Sequence, residues 1–99
     1  MIARLWHGVT DASKAEEYVK YLNETGIPDY RNTKGNRGAY VLRKIEGDDA
    51  HFYTLSFWDS LESIKEFAGE DYEKARYYAD DEKFLREFEP PVRHFEPFD

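Results

Sequence analysis

Phe52-Tyr-Thr-Leu-Ser-Phe-Trp-Asp-Ser-Leu-Glu-Ser-Ile-Lys-Glu-Phe67 passes from a strand pattern to a helix pattern with no linker between them. Up to Trp58 the residues are aromatic, β-branched or aliphatic and suit a pleated surface. From Leu61 the apolar positions Leu61, Ile64, Phe67 and Ala68 form one helical face. Asp59 stands at the switch as the expected N-cap, with Glu62 three residues on as the second half of a capping box. The stretch therefore marks where an antiparallel sheet hands over to a covering helix.

Working outward, Ile2 to His7 reads as a first strand and Ser13 to Glu16 as a capping box. The helix it opens carries Ala15, Tyr18, Val19 and Leu22 as its apolar stripe. Gly26 and Pro28 are expected to stop it. Asp29 to Arg37 reads as turn-rich. Ala39 to Ile45 is a second strand, Glu46-Gly47-Asp48-Asp49 a hairpin turn, and His51 to Trp58 a third strand. The second main helix runs from Ser60 to Ala68 and ends at Gly69. Tyr72 to Tyr78 reads as a short helical turn. Asp80 caps a last helical piece carrying Phe84, Leu85 and Phe88, which Pro90-Pro91 forbids from continuing. Val92 to Phe98 closes the chain as a strand.

The order strand, helix, strand, strand, helix, strand predicts a single α+β domain over residues 1–99. It is a ferredoxin-like βαββαβ antiparallel sheet with both helices on one face. The strands are apolar on both sides: Tyr53, Leu55 and Phe57 oppose Phe52 and Trp58, and Val41 and Ile45 oppose Tyr40 and Leu42. A second cover is needed, and another copy of the chain, sheet against sheet, is the simplest one. Trp58 is expected either at that seam or beneath the second helix.

Composition narrows the functional classes. The 99 residues contain no cysteine, so disulfides, thiolate metal sites and cysteine nucleophiles are excluded. A net charge of −7 repels polyanions, which makes nucleic acid and anionic membrane surfaces poor partners. No stretch has the length or apolarity of a membrane span or a signal segment, and a cytoplasmic location is expected. Aromatic residues make up 17% of the chain, more than one small core readily hides; the excess points to a partner interface, a ligand cavity or both. Three distant histidines give no ligand framework, so no metal site is expected.

Four segments carry a resemblance: Ile2-Ala-Arg-Leu-Trp-His-Gly, Gly38-Ala-Tyr-Val-Leu-Arg, Leu55 to Gly69, and Val92-Arg-His-Phe-Glu. Through them the chain resembles the antibiotic biosynthesis monooxygenase family of dimeric α/β barrels, over nearly its whole length. The resemblance implies a pocket within each subunit, between helices and sheet. It implies a homodimer and a small aromatic or polycyclic ligand, oxidised by molecular oxygen without any cofactor. A non-catalytic small-molecule-binding or stress-associated barrel is the alternative. Haem degradation is a weaker one. The haem-degrading branch uses an Asn, a Trp and an axial His where this chain, judged by spacing, has His7, Phe67 and Tyr77.

Cofactor-free oxygenation needs an apolar pocket and a group that ionises a phenol or enol. His7 is the expected base, because the alternation Ala3, Leu5, His7 is read as facing the helices; the plain alternative is a hydrogen-bonded strand-end histidine. Tyr77 is the second catalytic candidate. Tyr72, Tyr77, Tyr78 and Arg76 are read as a flap over the pocket mouth, with a Tyr–Arg pair able to bind a phenolate or carboxylate. Tyr72, Arg76, Phe67 and His94 are the substrate-binding candidates. Phe67 lies on the helix face turned to the sheet, and His94 faces either the pocket or the dimer seam. His51 is expected to be solvated.

Overall fold

Strand β3 (Asp49–Trp58) alternates without a break between buried and half-buried positions, and that alternation orders the whole sheet. Ala50, Phe52, Thr54, Ser56 and Trp58 point to one face and His51, Tyr53, Leu55 and Phe57 to the other. The computed structural model describes residues 1–89 and 91–98. In it, β1 (Ile2–Asp11) pairs antiparallel with β3, from Ile2 opposite Trp58 to Asp11 opposite Asp49. On the other side of β3, β2 (Asn36–Glu46) pairs antiparallel across the Gly47-Asp48 turn. The far edge of β1 holds two short strands in line: β4 (Leu85–Phe88) beside Gly8–Thr10 and β5 (Arg93–Phe95) beside Ala3–Leu5. The resulting order β2-β3-β1-β4/β5 is the expected ferredoxin-like antiparallel sheet, with the helices on one face.

Two core clusters lie between helices and sheet. One gathers Tyr18 and Leu22 of α1 (Ala15–Glu24) onto Trp6, Ala50 and Phe52. The other gathers Ile27 and Tyr30 of α2 (Gly26–Asn32), with Ile64 and Phe67 of α3 (Leu61–Ala68), onto Trp58 and Ala39. Burying a ring such as Phe52 completely contributes about 1.5–3 kcal/mol. Trp58 is fully buried on the helix face and donates from Nε1 to Ser56 Oγ at 2.9 Å, which settles its side of the sheet.

Several elements differ from the sequence reading. The chain does not stop at Gly26 and Pro28. It bends at Thr25, whose Oγ1 donates to the Tyr21 carbonyl at 2.7 Å, and resumes as α2. Pro28 lies in the first turn of α2, where a missing N–H costs nothing. The Ser13 capping box is replaced by a single 3₁₀ turn, Ala12–Lys14. At the handover Ser60, not Asp59, caps α3: its Oγ accepts from the Ser63 N–H at 3.3 Å. Asp59 is taken by Arg37, which donates to its two oxygens at 2.6 and 3.1 Å. Gly35, at φ +92°, closes the corner by accepting from the Asp59 N–H at 2.8 Å. Residues 72–78 form turns and irregular chain, not a helix. The last helical piece shrinks to α4 (Asp81–Phe84), after which Leu85–Phe88 become strand. The closing strand is only Arg93–Phe95, and Pro90 of the expected stop lies outside the described residues.

Candidate active site

The β1–β3 register places Arg4, Trp6, Gly8 and Thr10 on the helix face, beside Ser56, Thr54, Phe52 and Ala50. A Cβ on Gly8 would stand 2.6 Å from the Trp6 ring, so only a glycine lets the indole lie back along its own strand. Over Trp6 and Thr54 the first turns of α2 and the face of α1 leave a cavity. Trp6, Tyr18, Tyr30, Tyr77 and Tyr78 wall it, and the irregular chain 75–78 roofs it. The room inside is about 20 Å³ of space open to the centre of a water molecule. That holds a water or so and no aromatic ring, so a ligand must lift the roof to enter.

The polar groups are few and mostly committed. Tyr18 donates to Asp81 Oδ1 at 2.9 Å, and the Tyr78 N–H donates to Asp81 Oδ2 at 2.6 Å. The Tyr78 hydroxyl donates to Asp29 at 2.8 Å, and Tyr30 shares a 3.1 Å hydrogen bond with Thr54. Burial raises the Asp81 carboxyl above the usual carboxylate range; the Tyr78 N–H and the Tyr18 hydroxyl oppose the shift. Burial also pushes up the hydroxyls of Tyr18, Tyr77 and Tyr78, so all three stay protonated and act as donors near neutrality. Asp81 is the single carboxylate among the residues that wall the cavity.

Arg4 is 1% exposed on this face. Its Nη2 donates to the Lys74 carbonyl at 3.2 Å, while Nε is buried without a partner. No carboxylate pairs with it among the described residues. Its guanidinium carbon lies 5.6 Å from the centre of the Phe67 ring. Burying a cation without its counter-charge is costly, and burial correspondingly weakens the hold of Arg4 on its proton.

The structure distributes the expected site residues unevenly. Tyr77 walls the cavity: its hydroxyl accepts from Trp6 Nε1 at 3.4 Å and donates to the Glu89 carbonyl at 3.5 Å. Both contacts are long. Arg76 walls it too, donating to the Phe67 carbonyl at 3.0 Å with its guanidinium 5.4 Å from the Tyr78 ring centre. Phe67 is a core residue, stacked on Tyr30 at 4.4 Å between centroids, and does not reach the cavity. Tyr72 lies outside it, edge-on to His94 at 5.6 Å. His94 stands opposite Arg4 in the β1–β5 register, on the helix side rather than the open face, with Nε2 buried and unpartnered.

His7 does not face the helices. The register puts it on the open face, one residue out of phase with the expectation, and a one-residue slip moves every side chain across a sheet. There Nδ1 lies 3.0 Å from Glu89 Oε1 and Nε2 lies 3.0 Å from His51 Nδ1. The two imidazole planes differ by 3°, and Tyr53 stacks on His7 at 4.7 Å. His51, expected to be solvated, is half-buried in this pair. The residues the sequence reading passed over are Arg4, Tyr18, Tyr30 and Asp81. An arginine amid Ile2-Ala3-Leu5-Trp6 was the available signal.

No protein-family profile matches the sequence, and no curated protein matches it. Solved structures do. A Bacillus cereus protein assigned as an antibiotic biosynthesis monooxygenase superposes with a TM-score of 0.70 at 14% identity, over 100% of this chain and 94% of that one. The chain has the antibiotic biosynthesis monooxygenase fold. A Nitrosomonas europaea protein with the same assignment gives a TM-score of 0.62 at 11% identity, over 96% and 94% of the two chains. The same fold is found in MhuD of Mycobacterium tuberculosis, a haem degrader solved with two haems in its active site. There the TM-score is 0.64 at 17% identity, over 98% of this chain and 95% of that one. Among the described residues, no helix of the chain is long and apolar enough to cross a membrane.

Proposed function

We propose that the chain is a cofactor-independent monooxygenase of the antibiotic biosynthesis type, acting on a small electron-rich aromatic molecule. The observation that carries this reading is the helix-side cavity, where five aromatic side chains converge on few polar groups, one of them a buried carboxyl with raised proton affinity. Aromatic walls hold a planar ring by stacking and area burial. Asp81 takes the proton of the bound phenol, directly or through the Tyr18 hydroxyl 2.9 Å away, because its raised value brings it nearer the operating pH. The electron-rich anion then reduces dioxygen: one oxygen atom enters at a ring carbon, the substrate loses two hydrogens, and the second oxygen leaves as water. Tyr77, protonated and at the roof, orients the ring.

The chain works as a homodimer through the open sheet face. Tyr40 and Leu42 are 52% and 44% exposed there, beside the half-buried Leu5, Leu55 and Phe57. Haem chemistry has less support. None of the histidines walls the cavity, and Tyr77 is the remaining candidate for an iron ligand.

Oxygen uptake with polycyclic phenols, in protein freed of metal and flavin, tests the reading. Uptake above the protein-free rate, cut about a hundredfold in Asp81→Asn, is the expected result. No uptake with any electron-rich phenol, or full activity in Asp81→Asn, sinks it. A Soret shift with stoichiometric haem would favour the haem reading.

A further inference from the structure

Among the described residues Arg4 is the one Arg or Lys side chain that is fully buried, and although the Tyr30 hydroxyl lies beside it, no carboxylate pairs with it. The carboxylate that walls the cavity, Asp81, is held by Tyr18 and the Tyr78 amide and makes no ion pair with Arg4. Nε is buried and unpartnered. Nη2 spends its hydrogen bond on a main-chain carbonyl, that of Lys74. Lys74 precedes the roof segment that a ligand must displace. Across the β1–β5 ladder stands a second basic group, His94, whose Nε2 is likewise buried and unpartnered, and no acid is hydrogen-bonded to it among the described residues. A buried guanidinium whose Nε has no partner, with Nη2 held only by a main-chain carbonyl at the start of the roof, fits an anionic oxygen better than any neutral group.

We propose that Arg4 is an anion-recognising group that holds the ionised, phenolate form of an aromatic ligand in the helix-side cavity. The lifted Lys74 carbonyl vacates the donor face, and the phenolate oxygen replaces it. The phenol O–H bond breaks with its electron pair left on oxygen, and the proton passes through Asp81 to solvent. Other charged groups about the cavity are Arg76, whose charge is offset by Asp29 3.7 Å away, and Asp81, which opposes the preference while ionised. This rests on the reading of the cavity as a ligand site and specifies the chemical form that it selects.

The test is a spectroscopic pH titration of 4-nitrophenol, free and bound to the intact protein, without any turnover. Bound 4-nitrophenol is expected to ionise about one pH unit or more below the free compound, a tenfold preference for the anion. Arg4→Met should abolish the displacement, and Arg4→Lys, which keeps the charge without the fork, should retain part of it. Ionisation at or above the free value, an undiminished displacement in folded Arg4→Met, or no binding at any pH overturns the proposal. If Arg4→Met fails to fold, the wild-type titration and Arg4→Lys still decide. Oxygen uptake with no displacement removes the role of Arg4 alone; a displacement with no oxygen uptake removes the monooxygenase reading and leaves Arg4 standing.

Discussion

Half-buried His94 and buried Asp81 pull stability in opposite directions with pH. Burial, and then the charge of Arg4, lowers His94 from its ordinary value of 6.5. The folded chain therefore binds fewer protons than the unfolded one between the lowered value and 6.5. Stability from this group is complete above 6.5 and is lost as pH falls through the lowered value. Thermal melts between about pH 5 and 7 should show a steeper acid-side decline in wild type than in His94→Gln; parallel curves would contradict it. Asp81 has the reverse sign: its raised value makes the folded chain bind more protons, so its contribution fades as pH climbs from 3.8 through the raised value. At this scale the sequence was partly legible. Tyr77 and Arg76, read as part of a flap, stand in the cavity wall. The face of His7 was misread, because Ile2-Ala-Arg-Leu-Trp-His is apolar at both parities and a buried arginine hid the true phase.

Among the elements, β1 and the strand–helix handover set the site. Gly8→Ala would drive a methyl into the Trp6 ring and Leu85 side chain, 2.6 and 2.9 Å away. Overpacking of that kind should cost about 1–3 kcal/mol, read as a fall of several degrees in the thermal midpoint. It should also weaken ligand binding, because the displaced indole is a cavity wall; an unchanged midpoint would show that the ring yields freely. Gly35→Ala combines a φ of +92° with a Cβ only 2.1 Å from Ser63 Oγ, and should destabilise the handover through both. The run from Phe52 to Phe67 revealed this handover because its period changes from two to 3.6 at one point. α2 was hidden because Gly26 and Pro28 mimic a stop, although Pro is harmless in a first turn. β4 was hidden because Phe84, Leu85 and Phe88 fit a helical stripe equally well. Only pairing with the bulged end of β1 makes it a strand.

For the whole molecule, the fold was legible from the order of elements. The open face bears the paired His7 and His51, flanked by Glu89 and Glu46, as well as its apolar residues. Light scattering should give twice the chain mass for wild type and a monomer for Leu42→Glu, since a charge facing its own copy is desolvated without a partner. A monomeric wild type would remove the dimer. The proposed ligand site lies on the helix side of the sheet. The chain has two tryptophans, Trp6 in the cavity wall and Trp58 in the second core cluster. Their indole N–H resonances, followed by two-dimensional NMR during addition of 4-nitrophenol, report on it directly. The Trp6 signal should move much further than that of Trp58, while the imidazole signals of His7 and His51 stay in place. Movement confined to His7 and His51, with Trp6 unaffected, would contradict it.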